Sequence, residues 1–467
     1  MSEPLFRCSG CGASHCPSRA QPLPFRCPGA DSAKGAGVDH VLVRVRPAGV
    51  VFAPTGEDNP FVRYRALSAS YALARREGMS DAAYVALVEE IDRAVAAVEG
   101  HGFVVTPLSR ADRLAEAIGT PGLELWVKSE TGNVSGSHKA RHMMGLLVYL
   151  EVARKLGLLA GELPRLAIAS CGNAALAAAV VARAGKAALD VFIPPDANPR
   201  VVDRLRALGA EIAVCARTEA SPAGDPCYHG FRDAVARGEL PFCCQGGDNG
   251  LTIDGGETLG YEIAEGAPPL DALFVQVGGG ALASSIIQAL GVARDAGAIA
   301  RLPRIYTVQT RGAFPLARAY DRVAARLAER VRGEAPPVDE EARAAWLRDR
   351  AGAWIDEELA YAASHRAEFM WPWEEAPHSV AHGILDDETY DWVAVVRGML
   401  ESGGRPIVVD EETLLRANEL GRQATGIAAD ATGTSGLAGL IAATKGDARI
   451  GQGRVAVIFS GKDRDQT

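Results

Sequence analysis

Lys139 closes a run, residues 128–141, in which an apolar segment gives way to Gly132, Ser135, Gly136 and Ser137 before a helical pattern begins. The run predicts a strand, a small-residue turn and a helix that carries lysine in its first turn. Cations are disfavoured at the positive end of a helix, and partial desolvation adds to the bias toward the neutral amine. A neutral lysine condenses with an aldehyde, so Schiff-base chemistry is what this placement offers. A solvated surface lysine is the bland alternative.

Three further runs have the same shape. At Ser170, Cys171, Gly172 and Asn173 a strand ends and a helix begins, so backbone N–H groups are exposed to an anion such as a carboxylate. Asn173 adds an amide that can donate to a phenolate oxygen, although a plain helix cap explains Ser170 and Asn173 almost as well. Gly278, Gly279 and Gly280, followed by Ala281 and Leu282, let the backbone wrap a phosphate at a helix start. The contiguous glycines are not the spaced dinucleotide fingerprint, and a structural turn would look similar. Ser460 ends the apolar run 455–459 and offers a hydroxyl to a heteroaromatic nitrogen.

These turns need strands to present them. Apolar or β-branched segments at 123–128, 165–169, 189–193, 211–214, 272–277, 304–309, 406–409 and 454–459 alternate with alanine-rich helical stretches such as 173–184 and 281–293. That alternation predicts an α/β protein: two open, mostly parallel sheets with helices on both faces, and ligands at the carboxyl ends of the strands. The charged, arginine- and alanine-rich stretch 309–378 reads as an insertion of surface helices.

Cys8, Cys11, Cys16 and Cys27 crowd the first 27 residues. Cys8 and Cys11 have the spacing of a zinc knuckle, but Ala30 stands where a second Cys-x-x-Cys would be completed. Cys16, His15 or His40 offers a fourth ligand to Cys8, Cys11 and Cys27, and a metal-free, degenerate ribbon is the competing reading. Any metal here is expected to be structural and remote from Lys139.

In order and spacing the four runs resemble the tryptophan-synthase-β superfamily of pyridoxal-phosphate (PLP) enzymes, fold type II, over roughly residues 106–463. Thr106-Pro107-Leu108, Gly209-Ala210-Glu211 and residues 254–262 add to the likeness. The resemblance implies Lys139 as the Schiff-base lysine and acid/base, Asn173 at the cofactor 3-hydroxyl, and Ser170, Cys171, Gly172 and Asn173 around the substrate carboxylate. It also implies Gly278, Gly279, Gly280, Ala281 and Leu282 at the phosphate, and Ser460 opposite the pyridine nitrogen. His138 replaces the usual phenylalanine before the lysine; packing beside the cofactor is its expected role, with proton shuttling as the alternative. His382 is expected over the cofactor face.

The resemblance further implies domains at 46–140 with 251–467 (cofactor-binding) and at 141–250 (small), after a cysteine-bearing segment at 1–45. A neutral hydroxyl at the ring nitrogen makes a weaker electron sink than a carboxylate would, which suits β-elimination or β-replacement on an amino acid. γ-Replacement of the threonine synthase type, to which the cysteine-bearing N-terminus and residues 170–175 are similar, is the second reading. A non-catalytic paralogue or zinc-ribbon binding module is the third. Net charge of −9 leaves no basic excess for nucleic acid or anionic membrane, and 48% hydrophobic residues support a sizeable core. The expectation is a cytoplasmic homodimer acting on a small-molecule amino-acid substrate, with no nucleic-acid or membrane partner.

Overall fold

The computed structural model describes residues 5–30, 37–46, 49–217, 225–446 and 450–464. Thirteen strands are present among the described residues: β1 Phe6–Cys8, β2 Ser14–His15, β3 Leu42–Arg44, β4 Leu108–Arg110, β5 Glu124–Ser129, β6 Leu166–Ala169, β7 Leu189–Ile193, β8 Glu211–Val214, β9 Leu240–Pro241, β10 Ala272–Gln276, β11 Arg304–Thr310, β12 Pro406–Val409 and β13 Arg454–Phe459. They form a six-stranded sheet in the order β12-β11-β10-β13-β5-β4, a four-stranded sheet β8-β7-β6-β9 and a three-stranded sheet β2-β1-β3. All pairings in the first two sheets are parallel except β4 with β5. The small N-terminal sheet is antiparallel.

Alternation of side chains along each strand divides the six-stranded sheet's core in two. Leu273, Val275, Ala456 and Ile458 pack with the helices Ala281–Asp295 and Trp392–Ser402. Ala272, Phe274, Val455 and Val457 point the other way, onto Glu411–Thr425 and Ser435–Gly446. A strand buried on both faces must be apolar throughout, which is why β10 and β13 read as unbroken hydrophobic runs.

The stretch 309–378 is more than surface decoration. Its helices Pro315–Arg330, Glu340–Ala351 and Ile355–Ser364 bury Leu316, Tyr320, Val323, Leu327, Leu347 and Leu359 in the same core as β10. Their arginines face outward and dominate the composition, which masks a helical stripe.

Helix Lys139–Lys155 lies against helix Thr252–Gly266 at very short range. A Cβ on Gly255 would stand 2.2 Å from the Arg141 carbonyl oxygen, so only glycine permits that approach. No described helix is long and apolar enough to cross a membrane.

Candidate functional site

Adjacent parallel strands β5 and β13 end side by side, and their extensions keep pairing beyond the sheet. Glu130 N–H donates to Phe459 O (2.8 Å), His138 N–H to Ser460 O (3.0 Å) and Lys462 N–H to Gly136 O (2.8 Å). These bonds bring Lys139, the first residue of its helix, beside Ser460. Ser135 in the intervening turn has φ of 54°, a left-handed conformation that costs a non-glycine residue about 1 kcal/mol or more.

From the four-stranded sheet, Asn173 at the start of helix Asn173–Ala184 reaches the same place. A Cβ on Gly461 would lie 2.8 Å from Asn173 Nδ2. Arg464 Nη2 donates to Asn173 Oδ1 (3.0 Å), which fixes the amide's orientation and leaves Nδ2 against the chain beside Ser460. Ser170, Cys171 and Gly172 make the turn before that helix and are half-buried to exposed.

After β10, Gly278 and Gly279 lead to Gly280, whose φ of 99° turns the chain into helix Ala281–Asp295, which opens with Ala281 and Leu282. Residues 383–390 lie across this loop: a Cβ on Gly278 would stand 2.3 Å from Asp386 Oδ2 and 2.9 Å from the Ile384 Cα. The Asp386 carboxyl packs against Gly278 and Gly279, close enough to Lys139 to feel its charge. An anion beside the loop's amides is what a phosphate cradle attracts. Burial raises the Asp386 pKa, against which Lys139 and the Gly279 amide lower it. His382 is exposed at the edge of this covering segment.

The electrostatics favour neutral imidazoles beside the lysine. His138 is driven well below its ordinary range by burial, then by the Lys139 and His142 charges; His142 falls to about 3 for burial and the same lysine. His138 Nδ1 lies 3.1 Å from Ser460 O and acts there as donor, while its buried Nε2 has no protein partner. His142 Nδ1 donates to Thr252 O (2.7 Å).

Sequence reasoning assigned no role to Gln276, the last residue of β10. Its Nε2 is ringed by Gly433 O (2.9 Å), Thr432 O (3.2 Å), Ile458 O (3.2 Å) and Ser460 Oγ (2.7 Å), all acceptors, so this atom is the amide nitrogen. Ser460 Oγ therefore accepts from Gln276 and keeps its own proton to donate.

The scaffold beneath Lys139 draws on runs the sequence singled out, 106–108, 128–141 and 254–262, but its ion pairing was not assigned. Arg141 makes six hydrogen bonds, to Glu130 Oε2 (2.8 Å) and Oε1 (3.0 Å), Glu262 Oε1 (2.6 Å) and Oε2 (3.0 Å), Thr258 Oγ1 (3.0 Å) and Thr106 Oγ1 (3.1 Å). Lys128 pairs with Glu262 and donates to Thr106 O (2.6 Å). Two cations and two carboxylates thus form a neutral, fully buried group. Burial alone would raise the Glu130 pKa; the Arg141 guanidinium outweighs it and holds the carboxyl below its ordinary value.

Comparison with known proteins gives the family. A family model described as pyridoxal-phosphate dependent enzyme matches residues 101–461, more than three quarters of the chain. This chain belongs to that family. It is 31% identical over 197 residues to the biosynthetic L-threonine dehydratase of Haemophilus influenzae, a match over 39% of this chain that spans about a third (32%) of that relative's length. Among solved structures, maize serine racemase superposes with a TM-score of 0.56 at 18% identity, over 81% of this chain and 94% of that one. The processed form of threonine deaminase isoform 2 from Solanum lycopersicum gives 0.55 at 17% identity, over 83% and 92%. These likenesses establish the α/β, fold type II architecture of a PLP-dependent enzyme.

The residues fit the cofactor. A glycine loop that turns into a helix start suits its phosphate, a hydroxyl with a proton to give suits its ring nitrogen, and a half-buried lysine nearby suits its aldehyde.

Away from this site, Cys8, Cys11, Cys27 and His40 draw together, each offering one ligand atom. Of the fourth ligands open from the sequence, His40 joins the group; His15 and Cys16 lie outside it.

Proposed function

We propose that this enzyme is a lyase that removes, or replaces, the β-substituent of an α-amino acid. Lys139 would hold PLP through Nζ, and the same nitrogen, when free, is placed to take the Cα proton of the substrate. Bound PLP supplies the electron sink that makes this proton acidic. Backbone amides at Ser170, Cys171, Gly172 and Asn173 hold the substrate carboxylate, and Asn173 Nδ2 donates to the 3-oxygen. Gly278, Gly279, Gly280, Ala281 and Leu282 hold the phosphate. His138, neutral and fixed by Ser460 O, packs beside the ring, and the segment bearing His382 and Asp386 covers the phosphate loop and excludes water.

The observation that carries the reading is the Gln276–Ser460 hydrogen bond of 2.7 Å. It makes Ser460 a donor, which suits an unprotonated ring nitrogen. A cofactor held this way would supply a weak electron sink, which would favour loss of a β-substituent with its electron pair over chemistry that needs a long-lived negative charge at Cα. Elimination from a β-substituted amino acid would release the leaving group with a proton, and hydrolysis of the resulting imine by one water would give ammonia and a 2-keto acid.

The division into residues 1–45, 46–140 with 251–467, and 141–250 belongs to the same proposal, as do a homodimer, a cytoplasmic location and structural zinc at Cys8, Cys11 and Cys27. γ-Replacement of the threonine synthase type is the second reading, favoured by the cysteine-bearing N-terminus. The test is a panel of β- and γ-substituted amino acids assayed for ammonia and keto-acid release. Turnover of β-substituted members supports the proposal. Turnover confined to γ-substituted members overturns it in favour of γ-replacement, and a purified protein with no visible cofactor absorption overturns both.

A further inference from the structure

The thiols of Cys8, Cys11 and Cys27 and the imidazole of His40 all lie within 4.8 Å of one another. Cys8 Sγ stands 3.5 Å from His40 Nδ1, and Cys11 Sγ stands 3.5 Å from Cys27 Sγ. A disulfide would need about 2.05 Å. A tetrahedral zinc site with Zn–S of about 2.3 Å and Zn–N of about 2.0–2.1 Å has edges of about 3.5–3.8 Å. The Cys8–His40 and Cys11–Cys27 separations match those edges, and the whole set is within about 1 Å of them.

Local structure preforms the set. Gly12 N–H donates to Cys8 O, closing the turn that carries Cys11, and pairing of Cys8 with Leu42 brings His40 alongside. Amides point at the sulfurs: Cys11 N–H at Cys8 Sγ (3.5 Å) and Gly29 N–H at Cys27 Sγ (3.3 Å), donors that favour thiolates. A Cβ on Gly29 would sit 3.4–3.7 Å from His40 Cε1, Cys27 Sγ and Cys11 Sγ, so that glycine caps the cluster. His40 Nδ1 meets only a thiol, a poor partner for an imidazole nitrogen and the place where a metal would take its lone pair.

The neighbour of His40 ties this corner to the cover of the phosphate loop. Asp39 N–H donates to Ala363 O (2.7 Å) and its carboxylate accepts from Arg366 Nε (3.2 Å). Arg366 in turn donates to Glu388 (2.9 Å), which lies in residues 383–390 over Gly278 and Gly279.

The geometry points to a structural zinc clamp in which Cys8, Cys11, Cys27 and His40 bind one ion and lock His40, and through Asp39 and Arg366 the covering segment, to the body of the protein. The clamp is independent of the substrate proposed above and stands or falls without it.

The test uses the full-length holoenzyme, purified from zinc-supplemented cells and dialysed. One zinc per chain is expected, with an X-ray absorption first shell of three sulfurs and one nitrogen at about the distances given above. Cobalt substitution should give the d–d and thiolate charge-transfer bands of a tetrahedral site. Cys11→Ser, at an exposed position, and His40→Ala should each reduce retained zinc to near zero, whereas Cys16→Ser should keep it. Parent enzyme without bound zinc, a four-sulfur or two-sulfur shell, or loss of zinc in Cys16→Ser with retention in His40→Ala would overturn the assignment. If the ligand variants fail to fold, the parent's absorption shell still decides.

Discussion

Arg141→Met should be among the most damaging substitutions in this protein, although Arg141 reaches no surface. Lys128, Arg141, Glu130 and Glu262 balance to zero net charge, and removing the guanidinium takes away six hydrogen bonds and leaves one buried negative charge uncompensated. Breaking a buried pair by deleting one partner costs about 3–5 kcal/mol. One carboxyl escapes part of that cost by taking up a proton, so its folded pKa rises above the unfolded value. The folded variant then binds more protons than its unfolded chain above about pH 4.3, and its deficit against the parent grows as pH rises. Urea midpoints of parent, Arg141→Met, Glu130→Gln and the double variant, taken from about pH 5 to pH 8, form the assay. The double variant restores neutrality through Lys128 and Glu262, so a coupling of about 1–3 kcal/mol is expected. A single-variant cost below about 1 kcal/mol, or a deficit that does not change with pH, would refute the reasoning.

Other perturbations follow from the same geometry. Gly279→Asp adds a negative charge to the phosphate loop and a Cβ 2.8 Å from Tyr390 Cδ2, and should weaken PLP binding by more than about tenfold; Asp386→Asn removes a competing carboxylate and should tighten it, both read by fluorescence titration. Ser460→Asp should keep the ring nitrogen protonated and divert turnover from elimination toward racemisation or transamination, which chiral product analysis measures; an unchanged product ratio would contradict the role given to Ser460. His142 titrates at about 3 in the fold, below the ordinary histidine value, so the unfolded chain alone takes up that proton below about pH 6.5. Stability is lost as pH falls through this window, by about 1.4 kcal/mol per pH unit, and His142→Gln should flatten the slope in acid denaturation.

The site runs were legible because each is local: a strand end, small residues and a helix start within a few positions, as at residues 169–173 and 277–282. Their partners were not. Gln276 meets Ser460 across 184 positions, and Arg141 meets Glu262 across 121. Arg141 and Glu262 lie in runs that stood out, yet nothing local shows that they pair, because a buried polar group is defined by what surrounds it in space. The long strands were readable from unbroken apolar runs, whereas β9 is two residues long and includes Pro241, and β4 is three residues with Ser109 and Arg110 exposed. Helix Pro315–Arg330 hid its buried stripe among arginines and alanines. In the N-terminal segment Cys8 and Cys11 were evident from spacing, but the choice of His40 over His15 and Cys16 rests on how β1 pairs with β3.

The most direct test of the central claim is where the cofactor is attached. Borohydride reduction of the purified enzyme, followed by proteolysis and mass spectrometry, should place the reduced pyridoxyl group on Lys139 alone, and Lys139→Ala should lose the visible cofactor band while keeping its fold. Labelling of a different lysine in the parent, or a visible band that survives in Lys139→Ala, would contradict the account.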